Sequence, residues 1–371
     1  MSLVIRRDAV FSLRLTELPM PTGSRDPEVL LDWILDSMGL VRRRTEQSDE
    51  MGKRGAIHRI MMEALLDEPL RGWDSKDLGF HLGLSNTGIH MQMLKLKGCG
   101  LISTHVEGKR NRYVLRGGSM SSATSLVQAQ AKAILSIRLS ELASMVVDSE
   151  TRMDIESENP TTPFSIRISE PGVVKEGIDQ VSSLVFDLGL AGDVFRPDDT
   201  LARDLASELM QAHRPITLLT LSDRLSETRS RVNTVIERLS SAGIVERAPM
   251  SDRIPQDVFA ALMRQFNARG REWLLSRGGL GRLDKSVTKI LIDGTEKGDL
   301  DIEAVREALS PVPLDDQRVL LNTLGGRIPF GFRLAGADGK AVYSSVMRSA
   351  ERTLRRLCTV AERLDETLVT D

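Results

Sequence analysis

The chain is poor in cysteine, in aromatic residues and in net charge. Its two cysteines, Cys99 and Cys358, lie far apart, and neither has a CxxC partner. That excludes a disulfide framework and points to a reducing compartment. Aromatics make up 4% and the formal net charge is −2, so any nucleic-acid site must be a local patch. No run approaches the roughly 20 apolar residues of a membrane helix. The apolar start over 1–13 is broken by Arg6, Arg7 and Asp8, unlike a signal peptide. The expectation is a soluble, cytoplasmic protein with no membrane partner. Catalytic signatures are missing as well: GxGxxG after a strand, GxxxxGKS/T, HExxH and GxSxG. Gly278-Gly279-Leu280-Gly281 lacks the Lys and Ser/Thr of a P-loop and reads as loop punctuation. Five scattered histidines, with only Cys99 near His90 and His105, make a poor metal set. No enzyme, cofactor or metal is expected.

What is present concentrates in 73–116. Asp74 or Ser75 can cap a short helix, because a side-chain oxygen there accepts an orphan backbone N–H. Leu78 and Leu82 fall four apart on one face. Gly83 permits the positive φ of a tight turn, and Ser85 can cap a second helix. On it Ile89, Met93 and Leu96 point inward together. Thr87, His90, Met91 and Lys95 then lie toward the other side, with Asn86 at the N-terminal end. Gly98 and Gly100 end the helix, and 101–106 and 111–116 read as antiparallel strands around a turn at 107–110. Residues 53–118 carry eleven Lys/Arg against six Asp/Glu, net +5, with Arg42-Arg43-Arg44 just upstream. Local charge of this kind is what counterion release from a phosphate backbone needs.

The run 84–102, in which Ser85 opens a helix and Cys99-Gly100-Leu101-Ile102 leads into a strand, resembles the winged helix-turn-helix of ArsR- and MarR-type regulators. The resemblance implies a second helix in the DNA major groove and a wing along the backbone. It implies Asn86, Thr87, His90 and Met91 as base readers, and Lys95, Lys109, Arg110 and Arg112 as phosphate contacts. It also implies double-stranded DNA as partner.

In chain order, 10–18 alternates like a half-buried strand, and Pro27 starts a helix to Met38 that ends at Gly39. A helix over 53–66 precedes Pro69. After Gly117-Gly118 a long helix, 122–147, carries Leu135, Leu139, Leu142 and Val146 on a narrow seam. In the resembling families such a helix often serves dimerisation; packing on its own domain is the other reading. Residues 148–163 hold five acids against one Arg and end in prolines, a linker composition.

Then the chain starts again. Residues 163–170, PFSIRISE, read like FSLRLTE at 11–17. A helix follows with Val174, Ile178, Val181, Val185 and Leu188 inward, and Leu188-Gly189-Leu190 answers Met38-Gly39-Leu40. A helix over 199–211 leads to a second helix-turn-helix, in which 228–245 aligns without gaps on 85–102. Val232 then matches Ile89, Leu239 matches Leu96 and Gly243 matches Gly100, so duplication is expected. The alignment marks Arg229, Ser230, Asn233, Thr234 and Arg238 as second-copy DNA contacts, although 213–253 is only net +2. The second wing departs from the first: a helix over 256–267 intervenes before a strand-like 272–277. A third fragment, 329–334, again resembles the strand at Pro163. The last helix has apolar or small residues at 343, 347, 350, 354, 357, 361, 364 and 368, a heptad seam for a second copy or for its own fold.

The expected class is mainly α with small β elements (α+β), as tandem winged helix-turn-helix modules with repeated strand-helix units. The expected divisions are a strand-helix unit at 1–52, module 1 at 53–147, the acidic linker 148–163, a second strand-helix unit at 164–198, module 2 at 199–280 and a C-terminal region at 281–371. The expected function is sequence-specific DNA binding in transcription regulation, with a homodimer or protein partner open. The alternative is a scaffold binding protein partners in a transcription or chromosome-maintenance assembly.

Overall fold

The computed structural model describes residues 11–41, 55–108, 110–149, 162–173, 178–192 and 199–370. Lys109, Arg42-Arg43-Arg44, Val174 and most of the acidic linker lie outside them. The described chain is mainly helical with three small antiparallel sheets, the α+β class expected.

The first half runs β1 (Ser12–Thr16), α1 (Pro27–Ser37), α2 (Ala56–Ile60, continued by a π-helical turn at Met61–Leu65), α3 (Ser75–Leu82), α4 (Asn86–Gly98), β2 (Ile102–Glu107), β3 (Arg110–Leu115) and α5 (Met120–Ala143). The second takes up the same order with β4 (Ser165–Ser169), α6 (Gln180–Asp187), α7 (Leu201–Met210), α8 (Leu218–Arg224), α9 (Arg229–Ser241) and β5 (Val245–Pro249). Four helices then intervene: α10 (Ile254–Ser276), α11 (Lys285–Lys297), α12 (Ile302–Leu309) and α13 (Leu314–Thr323). β6 (Phe330–Leu334) and α14 (Gly339–Thr370) close the chain.

The two strand-helix units meet. β1 pairs antiparallel with β4, Ser12 opposite Ser169 and Thr16 opposite Ser165, with Arg14 opposite Arg167 at the centre. Arg14 and Arg167 are also the matching residues of the repeated FSLRL and FSIRI strands, so a local two-fold axis passes between them. Hydroxyl pairs sit symmetrically about it, Ser12–Ser169 at 2.8 Å and Thr16–Ser165 at 3.1 Å. Alternation buries Leu13, Leu15, Ile166 and Ile168 beneath this ribbon.

The long helices α5 and α14 pack side by side and antiparallel. Asp365, near the end of α14, accepts from the first amides of α5, Met120 N at 3.0 Å and Ser121 N at 2.8 Å. Further along, Ser136 Oγ and Tyr343 Oη lie 2.9 Å apart, and Lys132 pairs with Glu351 at 2.7 Å. A carboxylate suits a helix N-terminus, where unpaired N–H groups carry partial positive charge. The heptad seam of α14 is thereby filled from within the chain: Ala350, Leu354, Leu357, Ala361 and Leu364 are buried in the same core as Ala131, Leu135 and Leu139 of α5. Intramolecular packing, not a coiled coil between copies, covers these residues. The α5 helix ends at Ala143, so Val146 lies beyond the seam expected to include it.

The region after β5 corrects the sequence reading. Residues 272–277 are not a strand; 272–276 close α10 after a break at Gly270, φ 75°. Leu274 is buried there, with Trp273 and Leu275 packed alongside. A short segment with three apolar residues fits a strand or one helix face equally, and here a separate helical core claims it. That core, from Ile254 to Ile328, is distinct from the main one. The true partner of β5 is β6, Val245 opposite Leu334 and Pro249 opposite Phe330. The third fragment therefore completes the second hairpin, and the division placed at 280 falls inside the helical insert.

Candidate nucleic-acid interface

The first helix pair is built by local chemistry. Asp74 caps α3, its carboxylate accepting from Lys76 N and Asp77 N, both at 2.8 Å. Gly83 takes the left-handed conformation (φ 61°) that turns the chain, and Ser85 Oγ then caps α4 by accepting from Gly88 N at 3.2 Å. Ile89, Met93 and Leu96 face the core as expected. The helical period puts Thr87, His90, Met91 and Leu94 on the outward face, all exposed. Asn86 and Lys95, also exposed, lie on its flanks. Leu94, 47% exposed, was not singled out from sequence, although it falls three residues after Met91 and seven after Thr87. That spacing is its signal.

Beside this helix stands the hairpin β2–β3, with Ile102 opposite Leu115 and Glu107 opposite Arg110. Trp73 adds a short third edge through Trp73 N to Tyr113 O at 2.9 Å and the return bond at 2.8 Å. The hairpin cations do not stand alone. Arg112 donates to Glu107 at 2.9 Å, to Asp77 at 3.2 Å and to the Gly72 carbonyl at 3.2 Å. Arg110 reaches Asp74 at 3.3 Å, with a side chain 64% exposed. The backbone amide of Asp77 holds the Asp74 carboxyl below its usual range, with Lys76 N and the two arginines adding to it against the opposing effect of burial. Of the described hairpin cations Arg110 and Arg112, Arg110 is thus the more outward, and Arg112 is fixed among carboxylates.

The second helix pair follows the same plan with different residues. Thr217 caps α8, and Thr228 caps α9 by accepting from Arg231 N at 3.4 Å. Ser226 takes Gly83's place at the turn with φ 52°. Val232, Val235, Ile236 and Leu239 face inward. Outward stand Ser230, Asn233, Thr234 and Glu237, the last another residue the sequence reading passed over. Asn233 Nδ2 donates to Glu237 Oε1 at 2.7 Å, and Thr234 Oγ1 donates to the Ser230 carbonyl at 3.0 Å. Arg229 is exposed at the helix start and has no ion pair among the described residues. Arg238 turns to the flank instead. Its Nη1 lies 3.2 Å from where a Cβ on Gly192 would stand, so a side chain there would have to push the guanidinium aside. There it lines a cavity of about 220 Å³ with Arg14, Arg167, Ser165 and Ser241.

The β5–β6 hairpin repeats the short third edge, Ile216 N to Phe332 O at 2.9 Å and back at 2.8 Å. Its tip, however, leads into the helical insert, where in the first hairpin Glu107 already pairs with Arg110.

No His/Cys/Asp/Glu cluster suited to a metal occurs among the described residues. Cys99 is buried, its thiol donating to the Leu96 carbonyl at 3.2 Å, and burial pushes that thiol up to about 12. It is a core residue. No described helix is long and apolar enough to cross a membrane. No family model, curated protein or solved structure matches the chain.

Proposed function

We propose that the protein is a transcriptional regulator that binds duplex DNA through two winged helix-turn-helix modules carried on one chain. The observation that carries this reading is the repeated unit of two capped helices, a tight turn and a hairpin, present twice about a local two-fold axis. Each unit presents one outward helix face to solvent. Dimeric helix-turn-helix proteins reach a two-fold pair of reading helices by association; here a single chain supplies both. Lys95 and Arg110 are the exposed cations best placed for phosphates on module 1, and Arg229 serves module 2.

Fluorescence anisotropy of the full chain on labelled duplex DNA at several salt concentrations tests the reading. Each phosphate neutralised releases counterions, so log K falls with log salt by about 0.9 per contact. Binding that weakens steeply with salt is expected; absence of binding at low salt overturns the proposal. A second reading, a scaffold for protein partners, draws support from Phe80 on α3, which is 95% exposed. It gains if the duplex fails to bind.

A further inference from the structure

The two outward faces differ in kind, and the difference falls on matching positions. An offset of 143 residues carries α4 onto α9. The inward positions stay aliphatic or thioether: Ile89 and Val232, Met93 and Ile236, Leu96 and Leu239. The outward positions diverge: His90 against Asn233, Met91 against Thr234, Leu94 against Glu237. Phe80 on α3 stands at the place of Asp223 on α8 by the same offset. At two of the three outward pairs, and at Phe80, the first copy is apolar where the second has a hydroxyl or a carboxylate.

From this we infer that the partner is a non-palindromic duplex with two inverted but unlike half-sites, bound by one chain. The inference rests on the DNA-binding reading above. The β1–β4 register and the antiparallel α5–α14 pair place the modules in opposite senses about the local axis. Their half-sites are therefore inverted with respect to each other. A homodimer in this arrangement reads a palindrome because its two helices are identical; α4 and α9 are not.

The chemistry of each face names its half-site. Met91 and Leu94, 40% and 47% exposed, offer no hydrogen bond. The apolar feature of the major groove is the thymine C5-methyl. Against other base edges these side chains would cover donors and acceptors without replacing their water, which leaves buried groups unpaired and disfavours those bases. The half-site under α4 is accordingly thymine-rich, with the Thr87 methyl adding to the same surface. Under α9 the carboxylate on the outward face is Glu237, an acceptor already oriented by Asn233 Nδ2 at 2.7 Å. A carboxylate in a groove lined by phosphates is repelled unless a base donor meets it, and the cytosine N4 amino group is such a donor. The half-site under α9 therefore contains a C·G pair facing Glu237.

The experiment is selection of bound sequences from a randomised duplex library by the full chain, followed by analytical ultracentrifugation on an enriched duplex. The expected result is two blocks about one helical turn apart, or a multiple of it, one thymine-rich and one with a fixed C·G pair, at one chain per duplex. Glu237→Gln should lower discrimination at the second block by about tenfold or more while leaving the first unchanged. The Met91→Gln and Leu94→Gln pair should do the reverse. All three positions are exposed, and an unchanged circular-dichroism melt shows each variant to be folded. Enriched sites that are inverted repeats, or two chains per duplex, overturn the inference. So does salt-sensitive binding with no enriched sequence, which leaves the DNA reading standing. Loss of all binding at low salt overturns both.

Discussion

Asp74 shows how closely the first hairpin and α3 are tied at the level of one carboxylate. One oxygen accepts the two amides at the start of α3 and the other faces Arg110 and Arg112. Replacing a cap of this type with alanine costs about 1–2 kcal/mol. Asp74→Ala should therefore lower stability by about that much at pH 7, read by urea denaturation. Because the folded-state carboxyl titrates below its unfolded value, its contribution is present above the unfolded pKa and is lost as pH falls through the folded one. The gap between wild type and variant should narrow below about pH 4. A gap that stays constant down to acid pH would assign the stability to something other than the ionised cap.

At the level of elements, the two halves solve one packing problem differently. Arg138 of α5 is buried and bonds Asp187 and Ser183 of α6 together with Glu141 of its own helix. By the repeat, the matching places in the other half are Leu357 on α14 and Ser37 on α1, both buried. One half thus uses an ion pair where the other uses a leucine and a small hydroxyl. Removing one partner of a buried pair strands the other charge, at about 3–5 kcal/mol. Arg138→Leu should lose about that much, whereas Arg138→Leu with Asp187→Ser should recover most of it. A double variant as unstable as the single one would show that the pair, not the stranded charge, carries the stability.

For the whole molecule, the helical insert is the main departure from two-fold symmetry. Its apolar residues form their own cluster, and both its ends leave the same hairpin, where Met250 N meets the Pro329 carbonyl at 2.9 Å. Chain ends this close can be joined by a two-residue turn of the Asn-Gly type. Replacing 251–328 by Asn-Gly should leave a cooperatively melting protein whose duplex affinity, measured at one salt concentration, is that of the full chain. Loss of cooperative melting would make the insert part of the main fold; loss of binding alone would make it part of the interface.

Much of this architecture is legible in the residues because it is decided locally. Caps at Asp74, Ser85 and Thr228, the left-handed Gly83 and the inward spacing of Ile89, Met93 and Leu96 all act within a turn or two of helix. They specify the helix pairs and their repeat wherever they occur in a chain. Only the tertiary structure decided what lies far apart in sequence. β5 finds β6 across the insert, β1 finds β4 across the first module, and α14 finds α5. A strand such as 330–334 has the same pattern whichever edge it joins, because alternation encodes which face is buried and not which strand is neighbour. The candidate site divides in the same way. Exposure of Thr87, His90 and Met91 follows from helical period, but the capture of Arg112 by three carboxylates and the turn of Arg238 toward Gly192 depend on neighbours that only folding brings near.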